Sequence, residues 1–188
     1  MNRNLYLLAA VCTFQLLIVG GMVGMALLPL INGVPVTLPI DTRDPRDLMR
    51  GNYAALRYTF SRVKTDTLSN DLNPQKKYNY GDALWVKLAR KGEFYWPQGI
   101  YENKPEASIV LKAYVESAYL VTDSAQKPTL ELTLRAGIEE YYTTQLNAQL
   151  LESQLLATDS LQAVAFVKVA PNGAARLEKI EVRKAVRR

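Results

Sequence analysis

Apolar and polar residues follow three different patterns along this chain, and each pattern predicts a different element. From Leu5 to Ile31 there is no period at all: LYLLAAVCTFQLLIVGGMVGMALLPLI is 27 residues without a charge, and Gln15 is its one strongly polar side chain. A helix rises about 1.5 Å per residue, so roughly 20 apolar residues cross a hydrocarbon core of about 30 Å. A lone segment in lipid must pair its backbone groups internally, which a helix does. The run predicts a transmembrane anchor over residues 1–31 and a separate domain over residues 32–188.

Beyond the anchor the pattern changes to period two. Thr129–Ala136 alternates strictly, with Leu130, Leu132 and Leu134 on one face. Ile109, Leu111, Ala113, Val115, Tyr119 and Val121 form a second inward row, and Leu84, Val86 and Leu88 a third, after the Gly81-Asp82 turn. Ala54, Leu56, Tyr58 and Phe60 form a fourth. Segments 161–169 and 176–182 read as a hairpin around Pro171-Asn172-Gly173, because Asn-Gly supplies the positive φ such a turn requires. Short strands at this spacing predict an antiparallel β-sandwich or small barrel. One inserted helix interrupts them at Thr144–Asp159, a stretch without Gly or Pro. Its leucines fall on two sides, Leu146 and Leu150 against Leu151 and Leu155. A second apolar side suits contact with a partner or the membrane, and Leu151 and Leu155 are the candidate residues; an ordinary buried helix is the better reading, since helix ends often pack against loops.

The length of the first run decides between an anchor and a cleaved signal. A secretory signal has an apolar stretch of about 7–15 residues and a small-x-small cleavage site. Here the run passes Gly24 and Ala26 and continues through Leu27, Leu28, Leu30 and Ile31. A short N-terminal tail carrying only Arg3 favours an uncleaved signal-anchor, with the N-terminus in the cytoplasm and the domain outside. Gly20 and Gly24 lie one helical turn apart and would let a second helix approach closely, in a homodimer or a hetero-assembly. Glycine is also simply frequent in membrane helices.

Composition removes several chemistries. The chain has no histidine, which excludes imidazole triads, histidine metal sites and imidazole pH switches. Its single cysteine, Cys12, lies within the apolar run, so the domain has neither a disulfide nor a thiolate zinc site. A thiol-free domain suits an oxidising compartment. The net charge of +5 comes from cations interleaved with acids, outside the tail Arg183-Lys184-x-x-Arg187-Arg188, and offers no nucleic-acid platform. The carboxylates Asp41, Asp44 and Asp47 alternate with Arg43, Arg46 and Arg50, which suits ion-pair bracing of a loop better than a hard-cation site. No cofactor is expected.

The most specific local pattern follows directly: Gly51-Asn52-Tyr53-Ala54-Ala55-Leu56-Arg57-Tyr58, preceded by Asp44-Pro45-Arg46-Asp47. It resembles the GDYXXLXY family of bacterial membrane-anchored proteins. Gly51, Tyr53, Leu56 and Tyr58 match the family motif, and Asn52 stands where the family has aspartate. The likeness extends to Gly81-Asp82-Ala83-Leu84-Trp85-Val86 and to Gly137-Ile138-Glu139-Glu140-Tyr141-Tyr142. The resemblance implies a bacterial membrane-anchored protein associated with multi-spanning membrane proteins; joined to the signal-anchor topology above, the expectation is the bacterial inner membrane with a periplasmic domain. The residues themselves give the motif a structural reading: Asn and Asp both serve a polar turn, and Asn52 keeps that chemistry while losing the charge a base or metal ligand would need.

These observations lead to a non-catalytic accessory or subunit of a membrane protein assembly, in contact with the lipid bilayer and a membrane protein partner. The alternative is a membrane-anchored serine–lysine hydrolase with the layout of a signal peptidase, since a serine nucleophile with a lysine base needs no histidine. In that layout the serine follows the span. This chain has Val34-Pro35-Val36-Thr37-Leu38 there and no serine before Ser61.

Overall fold

The computed structural model describes residues 3–41, 53–106, 109–122, 128–142 and 161–184. One helix, α1 (Arg3–Asn32), contains the whole apolar run. The strands that follow are β1 (Val34–Pro39), β2 (Tyr53–Ala55), β3 (Arg62–Lys64), β4 (Ser69–Asn70), β5 (Ala83–Lys91), β6 (Phe94–Tyr101), β7 (Val110–Thr122), β8 (Pro128–Arg135), β9 (Glu140–Tyr142), β10 (Leu161–Val169) and β11 (Ala175–Lys184). The mostly-β expectation holds, with a single N-terminal helix among the described residues and a sheet that curls into a half-barrel. The inserted helix expected at 144–159, with Leu146, Leu150, Leu151 and Leu155, lies outside the described residues.

Three sheets share one core. The largest has the order β3-β8-β7-β5-β6-β4, antiparallel except for the β4–β6 pair; a second has the order β1-β10-β11, and β2 with β9 forms a ribbon. Ile40 ties them together: its amide donates to the carbonyl of Ala163 on β10, and it forms a bridge with Tyr58. Leu134 of β8 donates to the carbonyl of Ser61, which carries the connection into the large sheet. The inward rows Leu84/Val86/Leu88 and Leu130/Leu132/Leu134 are buried as their alternation requires, and they meet Val36, Leu38, Ala163, Ala165 and Val167 in one cluster.

Two expectations change. Tyr119 and Val121 are exposed, because a β-bulge between Val115 and Ser117 inserts Glu116 and reverses the parity of the strand beyond it. Beyond the bulge Ala118 and Leu120 stand opposite Leu132 and Leu130, where Ala118 packs against the core and Leu120 stays exposed. The row Ala54–Phe60 is strand only through Ala55; Leu56, Tyr58 and Phe60 still reach the core, from an irregular segment that turns at 59–60. Two strands carry no clear alternation signal. β1 contains Pro35 and Pro39 and occupies a sheet edge, where proline is tolerated; β6 contains Pro97 and Gly99 and pairs with β5 across a bulge.

Candidate functional site

Leu56 and Tyr58 of the motif are buried in a clamp. β2 pairs with β9 so that Tyr53, Ala54 and Ala55 stand opposite Tyr142, Tyr141 and Glu140, which brings two sequence segments more than 80 residues apart into register. The amide of Leu56 continues the ladder to the carbonyl of Glu139. The Tyr58 hydroxyl donates to the carbonyl of Ile138 at 2.8 Å, and its ring stacks on Phe60 with centroids 5.2 Å apart. On the other side of the same turn, the Glu139 carboxylate accepts the amides of Ala136, Gly137 and Ile138, and Gly137 supplies the positive φ of 77° that folds the chain back. Burial, reinforced by the Glu139 charge, pushes the Tyr58 phenol well above its ordinary range. Tyr58 is thus a fixed neutral donor in the core. Gly51 and Asn52 lie outside the described residues.

A second polar group braces the loop before β5. Tyr78 donates to Oε1 of Glu102 at 2.6 Å, Lys76 donates to Oε2 at 2.6 Å, and the Glu102 amide donates to Asp71. Burial and the bond to Glu102 push the Tyr78 phenol up to about 12, while the bonds from Lys76 and Tyr78 hold the Glu102 carboxyl below its ordinary value. Beside this group is a shallow cleft of about 250 Å³ lined by the 74–78 loop with Ala118, Leu120 and Leu130. The side chains of Lys76 and Tyr78 both bond Glu102, and the Tyr78 hydroxyl also accepts the Asn73 amide, so the geometry braces a loop.

The third arrangement joins helix to domain. Pro29 sits inside the last turns of α1, and the helix closes with the Gly33 amide donating to the Pro29 carbonyl. Two cations from paired positions on the β10–β11 hairpin reach the same helix end. Lys168 Nζ donates to the carbonyl of Leu30 at 2.7 Å and Arg176 Nε to that of Ala26 at 3.2 Å. The Leu30 carbonyl belongs to the last turn, where intrahelical partners run out and the negative end of the dipole favours a cation. Ala26 lies a turn further back, where Arg176 adds a bond to the helix backbone. Packing is tight here: a Cβ on Gly33 would lie 2.2 Å from the Pro29 oxygen and 2.9 Å from the Lys168 Cβ. Sequence reasoning missed this joint, because nothing local marks Lys168 or Arg176 out among the 23 cations.

Of the other predicted positions, Gly20 and Gly24 lie on α1 with nothing within 4 Å of where a Cβ would be, so the strip is open. The Ser61 Oγ accepts the amide of Tyr58 in a local turn. No group of three carboxylate, cysteine or histidine side chains among the described residues is placed to hold a metal ion.

The architecture defines a class: a β domain fixed to a long apolar N-terminal helix that is exposed along its length. The GDYXXLXY protein family model matches residues 15–180, and the chain belongs to that family. No curated protein and no solved structure matches it.

Proposed function

We propose that this protein is a non-catalytic, single-pass subunit of a bacterial inner-membrane assembly, with α1 spanning the bilayer and the domain on the periplasmic side. The span Tyr6–Asn32 has a mean hydropathy of 2.1 and only 6% of it is buried, which supports lipid as its surroundings. The observation that carries the subunit reading is the placement of apolar surface on the domain. Its exposed large hydrophobic residues, among those described, are Val34, Tyr80, Tyr114, Tyr119, Leu120 and Val121. Three are consecutive at the outer end of β7, Tyr114 lies on the same strand, and Tyr80 precedes Gly81, whose amide donates to Val115 of that strand. Such a concentration on one strand, beside a filled core and a shallow cleft, suits a protein contact better than a substrate site. The partner is another integral membrane protein, held beside α1 and this strand.

Purification of the full chain in mild detergent, with identification of co-purifying proteins, tests the reading. A defined membrane protein should co-purify with the wild type and be lost from Leu120→Glu or from the paired change Gly20→Ile and Gly24→Ile, with the domain still folded. Full-length protein found soluble after alkaline carbonate washing would refute the span. Retention of every partner by both variants would refute the proposed contacts.

A further inference from the structure

We propose that the domain surface around the exit of α1 binds anionic phospholipid head groups through Lys104, Lys112, Lys168 and Arg176, with Trp85 and Tyr114 as interfacial aromatics. This rests on the reading of α1 as a span. The tip of the β10–β11 hairpin places the group. β1 starts opposite Val169, so α1 leaves the domain beside that tip, and Lys168 and Arg176 bond the helix itself. Arg176 reaches the carbonyl of Ala26, well back along the helix from Asn32, which puts a guanidinium where the apolar span meets the head groups.

The tip then gathers the remaining members. Gly173, with a φ of 80°, is buried against Trp85; a Cβ there would lie 2.6 Å from the indole and 3.1 Å from the Lys112 Cβ. The Gly173 carbonyl accepts the amide of Lys112, and the Pro171 carbonyl accepts Lys104 Nζ at 2.7 Å. Lys104 and Lys112 flank the Trp85 ring at 6.0 and 5.8 Å, and Lys112 also lies 5.5 Å from the ring of Tyr114. The four cations thus bond backbone carbonyls or sit over rings, and none forms an ion pair with a carboxylate among the described residues. Elsewhere on the surface Lys76, Arg135, Lys179 and Arg183 all have carboxylate partners. Unneutralised positive charge with tryptophan and tyrosine, beside a span, is complementary to the negative surface of a membrane and to the preference of these rings for the interface.

The two tryptophans make this measurable. In full-length Trp96→Phe protein, Trp85 is the one remaining indole. The protein is reconstituted into vesicles of phosphatidylcholine alone or with added phosphatidylglycerol, and quenching by a lipid carrying a nitroxide near its head group is recorded. Quenching should be about twofold greater with phosphatidylglycerol, and the excess should disappear in roughly 0.5 M salt, where exposed charges are screened. Lys104→Gln with Lys112→Gln should abolish the excess. Lys91→Gln should keep it, since Lys91 lies near Glu93, which contacts Arg183 at the far end of the hairpin. Equal quenching in both lipids, or an excess insensitive to salt and to the paired lysine change, would overturn the proposal while leaving the span intact. Failure to float with either vesicle would overturn the span, and the proposal with it.

Discussion

Two places in the molecule use the same bond, a side-chain donor on a backbone carbonyl, for different ends. In the Tyr58 clamp the donor is neutral and 3% exposed, and its carbonyl belongs to a turn 80 residues away. At the foot of α1 the donors are Lys168 and Arg176, charged and open to solvent on part of their surface, and their carbonyls belong to a helix end. A buried donor cannot exchange its partner for water, so losing it leaves a carbonyl unsatisfied. An exposed cation can, so its bond fixes direction more than stability. The clamp accordingly holds the fold together, and the joint sets the orientation of the domain on its helix.

That contrast is sharpest in Tyr58→Ala, which removes a core ring, its stack on Phe60 and its hydrogen bond. A loss of about 3–5 kcal/mol is expected in chemical denaturation. Tyr58→Phe retains the ring and should cost about 1–3 kcal/mol. A loss below about 0.5 kcal/mol for the alanine variant would show that the motif tyrosine does not bear on the core.

Alkali should probe the same contrast next. Both Tyr58 and Tyr78 have phenols raised above the ordinary 10.0, so the folded state favours their protonated forms. Their contribution is complete below pH 10 and declines as the pH rises, for Tyr78 through about 12. Denaturation midpoints measured from pH 9 upward should therefore fall, and Tyr78→Phe should flatten the fall between about 10 and 12. A slope unchanged in that variant would refute the coupling. Glu102 acts in the opposite sense: its carboxyl is held low, so its contribution is present at neutral pH and disappears only as acid protonates it.

The smallest stability effect belongs to the joint. Lys168→Gln with Arg176→Gln should change domain stability by less than about 1 kcal/mol. The same pair should broaden the distance distribution between spin labels at Ala26 and Glu178 in reconstituted protein. A distribution as narrow as that of the wild type would show that Gly33 packing alone orients the helix.

Much of this architecture was legible because it rests on local periodicity. A charge-free run of 27 residues specifies a helix wherever it lies, and alternation in Thr129–Ala136 specifies which leucines are buried. The tip of the last hairpin was equally legible, since Gly173 in Asn172-Gly173 has no Cβ to oppose the positive φ that such a turn requires. β1 and β6 were not, because their prolines and Gly99 weaken the propensity that their neighbours override. The exposure of Tyr119 and Val121 depends on one extra residue, Glu116, and nothing in an alternating strand announces a bulge.

By itself, then, the chain determined its apolar helix, its strand-rich domain, the absence of histidine and of a thiol in that domain, and the motif of its family, all properties of neighbouring residues. Only the tertiary structure decided what the motif does and where the cations gather. Tyr58 meets Ile138, and Lys168 meets Leu30, across separations of 80 and 138 residues. Such pairings are set by which sheets curl around which core, a balance of long-range contacts that no local window of sequence contains.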